Sequence, residues 1–191
     1  MAIQVSGTTV INNSRVLQNV SGLKTINGSS LLGSGDISAG GDFTWSSYKD
    51  IKNTVTGMSG AREIVIGADS LAAATTNHIE LRIGDSGGIE TSGYDSIGMF
   101  NFGGAHQSLS DAFYLAYNFS YDTGFQCVAH LYSRDGTKWA FSSQFSFWRY
   151  STKYLGGGAG AKTLSSGLDR VQIITTNNYN HGGGDWWVGW R

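Results

Sequence analysis

The segment His78-Ile-Glu-Leu-Arg-Ile83 alternates between apolar and polar side chains. In an extended chain, successive side chains point to opposite faces, so Ile79, Leu81 and Ile83 share one face and the charged residues between them share the other. We therefore predict a β-strand here, with its apolar face packed on a core.

The same period of two recurs beyond residue 43, and it predicts an all-β fold. Two strands are predicted at Glu63–Ile66 and Gln126–Tyr132. Another is predicted with one face formed by Phe113, Leu115, Tyr117, Phe119 and Tyr121, and another with one face formed by Trp139, Phe141, Phe145 and Phe147. A further strand is predicted around Val171 and Ile173. Residues Ser46–Val55 fit either a short helix or a strand. Many short alternating strands indicate an antiparallel β-sandwich, and we expect a jelly-roll-like one.

Glycine-rich segments separate these predicted strands. They are Gly84–Gly88, Gly103-Gly104, Arg134–Gly136, Gly156–Gly160 and Gly182–Gly184. Glycine adopts the backbone conformations that tight turns need, so we predict a turn or surface loop at each of them.

The composition excludes several classes of protein. Of the 191 residues, 28 are glycine and none is proline, which disfavours long helices and, without a Gly-X-Y period, excludes collagen. The net charge of -1 gives no attraction to nucleic acid or to an acidic membrane surface. We expect neither a secretory signal nor membrane insertion. The single cysteine, Cys127, forms no internal disulfide and is expected to be a small buried residue.

The composition changes near residue 40. Residues 1–40 contain no aromatic residue, and their apolar residues come in short bursts separated by glycine and serine. Such a segment has too few large side chains to form a core alone, so its strands need neighbours from other chains. We expect a trimerising stalk or attachment segment at 1–40, a flexible joint at Ser38–Asp42 and a β-sandwich head domain at 41–191.

Several segments resemble elements of phage tail fibres. Leu23–Ile37 (LKTINGSSLLGSGDI) resembles a stalk element that recurs in the fibres of tailed phages, and Thr9–Val20 resembles their stalk repeats. Ile83–Tyr94 (IGDSGGIETSGY) resembles a signature of the C-terminal tip domain, and Thr163–Val171 resembles a strand entry of the same domain. The resemblance implies a virion protein of the tail fibre or tail tip, a homotrimer that binds a host cell-surface glycan or protein without catalysis.

The resemblance also leaves alternatives open. If the chain is a tail-fibre protein, residues 1–40 contact other phage tail or virion proteins. Because 40 residues are short for a stand-alone fibre stalk, a structural role stays open, as a capsid-head fibre, a decoration protein or a tail plug. Cleavage of a surface glycan is the least favoured alternative, because depolymerase fibres carry a long β-helix for which residues 41–191 leave no space.

The C-terminus supplies the first candidate for ligand contact. Gly184–Arg191 departs from the strand with which the resembling fibres end. The period of two directs Trp186, Val188 and Trp190 toward the core and Trp187 outward. An exposed tryptophan at a fibre tip gives a sugar ring a surface on which to stack.

A second candidate is the aromatic cluster beside the predicted glycine loop. Trp148, Arg149, Tyr150 and Tyr154 flank Gly156–Gly160, and loops at the end of a sandwich are where binding residues collect. Core packing or subunit contact is the competing explanation for these aromatic residues. The predicted ligand-binding set is Trp187, Trp148, Arg149, Tyr150, Tyr154, His181 and Asp185.

No segment of the sequence predicts catalysis, a metal site or a cofactor. Gly84–Gly88 matches the nucleophile loop of trypsin-like proteases, but the chain has no room for the second barrel that this chemistry needs. Gly156–Thr163 nearly matches a phosphate loop, but Ala161 replaces a required glycine and a strand pattern follows. The histidines show no metal-ligand spacing. We therefore expect a protein that is not an enzyme.

Overall fold

The computed structural model describes residues 3–5, 8–11, 42–49, 53–69, 77–101, 106–118, 123–149, 151–175 and 184–191. The chain divides into two compact units, Met1–Asp42 and Phe43–Arg191. In the first unit, strand β1 (Ile3–Val5) pairs antiparallel with β2 (Thr8–Ile11). Most of the predicted stalk, residues 12–40, lies outside the described residues.

The second unit is built from antiparallel strands. They are β3 (Thr44–Tyr48), β4 (Thr54–Thr56), β5 (Glu63–Asp69), β6 (Asn77–Asp85), β7 (Gly88–Ile89), β8 (Tyr94–Phe100), β9 (His106–Leu109), β10 (Phe113–Asn118), β11 (Thr123–Ser133), β12 (Lys138–Arg149), β13 (Thr152–Thr163), β14 (Arg170–Thr175) and β15 (Asp185–Trp190). No helix occurs among the described residues. The predicted all-β class is confirmed, and the helical option for Ser46–Val55 is wrong where that segment is described.

These strands form two sheets around one core. The larger sheet has the order β3-β15-β5-β11-β12-β13-β8-β9, and the smaller has the order β10-β6-β14-β4 with β7 paired to β6. Buried side chains of both sheets belong to one hydrophobic cluster. The core therefore lies between the sheets, which curl into a half-barrel around it.

The predicted inward faces are confirmed for three central strands. Ile79, Leu81 and Ile83 of β6, Trp139, Phe141, Phe145 and Phe147 of β12, and Val171 and Ile173 of β14 are each at most 4% exposed. Glu80, on the other face of β6, is also buried, at 2%. Strand β6 is therefore covered on both faces, which the alternation alone did not predict.

Strand β10 is buried on both faces. Its register with β6 shifts between Tyr114 and Ala116, and Phe113 through Ala116 are all fully buried. The predicted strand is therefore confirmed over Phe113–Asn118, but its single apolar face is wrong, because such a bulge breaks the alternation of side chains. The last two residues of that predicted face, Phe119 and Tyr121, lie outside the described residues.

Two buried serines form hydrogen bonds with the edge of β10 that does not pair with β6. The N–H of Tyr114 donates to Ser96 Oγ at 2.9 Å, and the Ser143 hydroxyl donates to the Tyr114 carbonyl at 3.2 Å. The Cys127 thiol lies 3.8 Å from the Leu115 carbonyl oxygen. Because a strand edge buried without hydrogen bonds is costly, these side chains take the place of a neighbouring strand.

The segment Gly156–Gly160 lies in the middle of β13, so the predicted loop is wrong. Its glycines face surroundings that leave no space for a side chain. A Cβ on Gly158 would overlap the carbonyl oxygen of Tyr114, and a Cβ on Gly156 would overlap the ring of Phe145. Glycine inside a strand often marks the close approach of another backbone, and here it lets β10 pack directly on β13.

The predicted turn at Gly84–Gly88 is confirmed, and Asp85 anchors it. The Asp85 carboxylate accepts hydrogen bonds from the Ser165 hydroxyl at 2.6 Å, from the Gly87 N–H at 2.8 Å and from the Ser166 N–H at 3.2 Å. These bonds, that from Ser165 above all, lower the pKa of Asp85 to about 2. The aspartate therefore ties the β6–β7 turn to the loop that precedes β14.

Candidate binding surface

The outer face of the larger sheet carries the candidate site. Side chains alternate along each strand between core and solvent, and the strand register aligns the outward ones into rows. One row crosses the sheet from β3 to β8 and consists of Ser47, Trp187, Gly67, Val128, Gln144, Gly157 and Met99. All of these residues are uncharged, so this row offers apolar surface and amide groups to a ligand.

Trp187 points away from the core, as predicted. On β15, Trp186 and Val188 are fully buried and Trp190 is partly buried, whereas Trp187 is 38% exposed. The indole of Trp187 lies over Gly67 of the neighbouring strand β5, where a Cβ would overlap the ring atoms. Part of the ring therefore lies against the backbone at Gly67, and the rest of the side chain stays exposed.

A shallow cavity of about 460 Å³ borders this indole. Asp69, Gln126 and Gln144 supply its polar groups, and Val128 and Leu155 supply apolar wall. Carboxylate and amide groups accept and donate the hydrogen bonds that a hydroxyl-rich ligand offers, while the indole offers an apolar face. A pyranose ring, which has hydroxyl groups at its rim and C–H groups on its faces, matches both features.

Asp185, another predicted ligand contact, lies beside this cavity. It is exposed, and its register partner on β5 is Asp69. Like charges placed opposite each other across two strands destabilise a sheet. The pair therefore brings two carboxylates together on this part of the described surface.

The other predicted aromatic residues do not join Trp187 in one surface. Trp148 is 42% exposed near the β12–β13 hairpin, with Lys153 Nζ 4.5 Å from its ring centroid. Tyr154 lies on the opposite face, where its ring stacks on Phe147 at 5.1 Å and packs against the core. Their predicted position beside a glycine loop is wrong, because that segment is part of a strand.

Three predicted contacts are not described at the level of their side chains. Arg149 ends β12 and pairs with Thr152 through the backbone, but its side chain lies outside the described part of the molecule. Tyr150 and His181 lie outside it entirely. Their role in ligand binding stays a prediction.

Sequence reasoning missed Trp45 of β3, which is 54% exposed on the same outer face. Its ring lies over Gly189 of β15, where a Cβ would be 2.7 Å from ring atoms Cε3 and Cζ3. This arrangement repeats that of Trp187 over Gly67. Only the pairing of β3 with β15 brings Trp45 to Gly189, and no local sequence pattern predicts which strands will pair.

A second depression, of about 720 Å³, lies over β8, β12 and β13. Its exposed side chains include Ile97, Met99 and Leu155, which are 47% to 63% exposed, and Gly157 lies between them. Gln144 lines both depressions. With so few hydrogen-bonding side chains, this apolar groove suits an apolar protein surface better than a sugar.

The described residues include no group of three or more His, Cys, Asp or Glu side chains that could hold a metal ion. Cys127 is buried, as predicted, and burial raises the pKa of its thiol to about 12. The thiol is therefore protonated at neutral pH and is a poor nucleophile. Within the described ranges, no helix has the length and apolar character needed to cross a bilayer.

Comparisons of the chain with protein-family models, with curated proteins and with solved structures find no match.

Proposed function

We propose that this chain is a structural protein of a phage virion, at a tail fibre or tail tip, that binds a glycan of the host cell surface without cleaving it. The segments Leu23–Ile37 and Ile83–Tyr94, which resemble fibre stalk and tip elements, support the class of protein. The surface around Trp187 supports the class of ligand.

The observation that carries the ligand class is the indole of Trp187 packed on Gly67 beside hydrogen-bonding side chains. Contact with the backbone restrains the ring before a ligand arrives, so binding costs little further conformational entropy. The C–H face of a sugar packs on the exposed part of the indole, and its hydroxyl groups reach Asp69 and Gln126. The net charge of -1 also favours recognition by stacking and hydrogen bonding over recognition by charge.

The proposal includes the assembly. The two sheets form a jelly-roll-like β-sandwich head of a homotrimer, and residues 1–40 form the stalk that joins the chains and contacts other tail or virion proteins. Three heads present three copies of the Trp187 surface to a repeating polysaccharide. Simultaneous binding raises a weak single-site affinity by a factor of about 10²–10⁴, which suits a shallow and open site.

Asp69 and Asp185 are the feature of this surface closest to a catalytic pair. Glycosidases use two carboxyl groups, and the one that acts as general acid is commonly held in apolar surroundings. Both aspartates here are exposed on an open sheet face. We therefore expect binding without cleavage. After prolonged incubation of the protein with the polysaccharide, size-exclusion chromatography should show an unchanged polymer length. Shortening of the polymer would establish the enzymatic alternative.

A purely structural role in the virion is the second candidate, and the apolar groove formed by Ile97, Met99 and Leu155 favours it. Apolar surface of this kind is buried when a protein neighbour packs on it. A capsid-head fibre, a decoration protein or a tail plug would use the groove in that way. Such a protein would not compete with phage particles for host cells, whereas a receptor-binding tip blocks their adsorption.

The test is the binding of the full chain to an array of bacterial surface polysaccharides. We expect at least one polysaccharide to bind, and Trp187→Ala to weaken that binding by at least about tenfold, equivalent to about 1.4 kcal/mol. The matched control is Tyr132→Ala, which removes a 62% exposed aromatic ring from the same outer face and should leave binding unchanged. Absence of binding to every polysaccharide, or equal loss in both variants, would refute the proposal.

A further inference from the structure

Two tryptophans on the outer face share one arrangement. Trp187 of β15 lies over Gly67 of β5, and Trp45 of β3 lies over Gly189 of β15. In both cases the glycine is the register neighbour on the next strand, and a side chain on it would collide with the indole. The rings keep exposed fractions of 38% and 54%, so each presents surface to solvent.

The strand register gives the spacing of the two glycines that the rings cover. Gly189 and Trp187 are two residues apart on β15 and point to the same face, while Trp187 pairs with Gly67. Gly189 and Gly67 are therefore diagonal neighbours on adjacent strands, and such positions lie about 7–8 Å apart. A single sugar ring does not cover two indoles at this spacing, but a linear oligosaccharide places different rings on each.

Polar groups accompany the two indoles. Ser47 is exposed on β3, two residues after Trp45, and is the register partner of Trp187. At the end of the surface beyond Trp187 are the two carboxylates of Asp69 and Asp185, and Lys49 follows β3 as a cation near the same end. Among the described residues at this end, two carboxylates stand beside one ammonium group, an arrangement that disfavours a sugar acid.

We propose that the tryptophan strip, formed by Trp45, Ser47 and Trp187, binds a linear, uncharged oligosaccharide whose separate sugar rings stack on the two indoles. This inference rests on the proposed glycan-binding function, and it adds that the chain recognises several linked sugars instead of a single one. The affinity for a fragment then rises with its length until the fragment covers both indoles.

The alternative explanation of the strip is structural, because an aromatic ring that covers a glycine on the next strand also stabilises a sheet. The two explanations differ in what the loss of Trp45 does. A structural cover affects unfolding alone, whereas a second sugar contact affects the affinity for long fragments and leaves the shortest ones unchanged.

The experiment uses the full chain and free oligosaccharides of defined length, made by partial acid hydrolysis of a neutral polysaccharide that binds on the array. Isothermal titration calorimetry with free fragments measures single-site affinity without the contribution of multiple heads. We expect Trp45→Ala to weaken the longest fragments by about tenfold and the shortest by less than about twofold. Trp187→Ala weakens all fragments, and the control Tyr132→Ala weakens none.

Gly189→Ala provides a second perturbation in case Trp45→Ala unfolds the sheet. It keeps the tryptophan but displaces its ring, so it should reproduce the length-dependent loss. If fragments bind but Trp45→Ala and Gly189→Ala leave the affinity for every length unchanged, the second contact is refuted and the proposed function stands. If no saccharide of any length binds, both are refuted.

Discussion

Replacement of Ser96 by alanine tests whether buried serines secure the edge of β10. Ser96 Oγ accepts the hydrogen bond of the Tyr114 N–H at 2.9 Å, in surroundings where Ser96 is 3% exposed and Tyr114 is fully buried. An amide has one hydrogen to donate, and water does not reach this position. Ser96→Ala therefore leaves a desolvated donor without its acceptor while it removes only one heavy atom from the core.

The expected loss follows from the cost of that donor. A buried polar group that loses its partner destabilises the folded state by about 1–3 kcal/mol. For a chain of this size, each kcal/mol lowers the melting temperature by about 2–4 °C, so we expect a decrease of about 2–12 °C. Ser143→Ala removes the hydroxyl that donates to the Tyr114 carbonyl and should act in the same direction. The double variant should lose less than the sum, because both serines bond the same residue.

Urea unfolding, followed by tryptophan fluorescence at one protein concentration, measures the effect. Ser142→Ala is the matched control: it lies beside Ser143 on β12, but its side chain is exposed, so the expected change is within about 0.5 kcal/mol. If Ser96→Ala unfolds at the same urea concentration as the parent and the control, the Ser96 hydroxyl does not hold the edge of β10 and the reasoning fails.

Three further variants test other parts of the structure. Gly158→Ala should destabilise the fold by about 1–3 kcal/mol, because its Cβ overlaps a backbone carbonyl oxygen of β10. The control is Gly167→Ala, whose Cβ meets nothing within 4 Å and which should change stability by less than about 1 kcal/mol. Equal urea midpoints for the two variants would contradict the packing argument. Because the pKa of Asp85 is lowered from its ordinary 3.8 to about 2, its carboxylate stabilises the folded state above pH 3.8, and this contribution is lost as the pH falls through about 2. Asp85→Asn should therefore lose less stability than the parent over that interval, and parallel melting profiles would exclude the carboxylate as the cause. Gly67→Ala should lift the indole of Trp187 while the sheet stays folded, so polysaccharide affinity should fall about as far as in Trp187→Ala; an unchanged affinity would mean that the orientation of the ring is irrelevant.

The features that the sequence predicted correctly depend on residues two positions apart. Ile79, Leu81 and Ile83 are buried together because one strand face meets the core, and Trp187 is exposed because its neighbours on β15 are buried. The features that it did not predict depend on segments that are distant along the chain. Gly156–Gly160 has the composition of a turn, and only the close neighbours of β13, among them the Tyr114 carbonyl oxygen of β10 at Gly158, show why a strand needs glycine there.

The residues of the candidate site also differ in whether the local sequence predicts them. Its outward tryptophan on β15 follows from local alternation, so Trp187 was predictable. The cavity beside it is made of residues from β5 and β11, such as Asp69 and Gln126, which reach Trp187 only through strand register. Trp45 was missed for the same physical reason, because its partner Gly189 is far from it along the chain, although the two strands pair in the sheet.

The glycines also explain why the smaller cavity, and not the larger groove, is assigned as the glycan site. A glycine inside a strand costs about 0.5–1 kcal/mol relative to alanine, so some neighbour should account for each one. At Gly157, in the groove, a Cβ would lie 2.6 Å from the Ser143 carbonyl oxygen, so the approach of β12 already accounts for it without any ligand. At Gly67 and Gly189 the neighbour is an indole, and each indole keeps a large part of its surface in water. Each indole stabilises the sheet by covering a glycine, and the exposed part of each ring is the surface that the proposed sugar contact would bury.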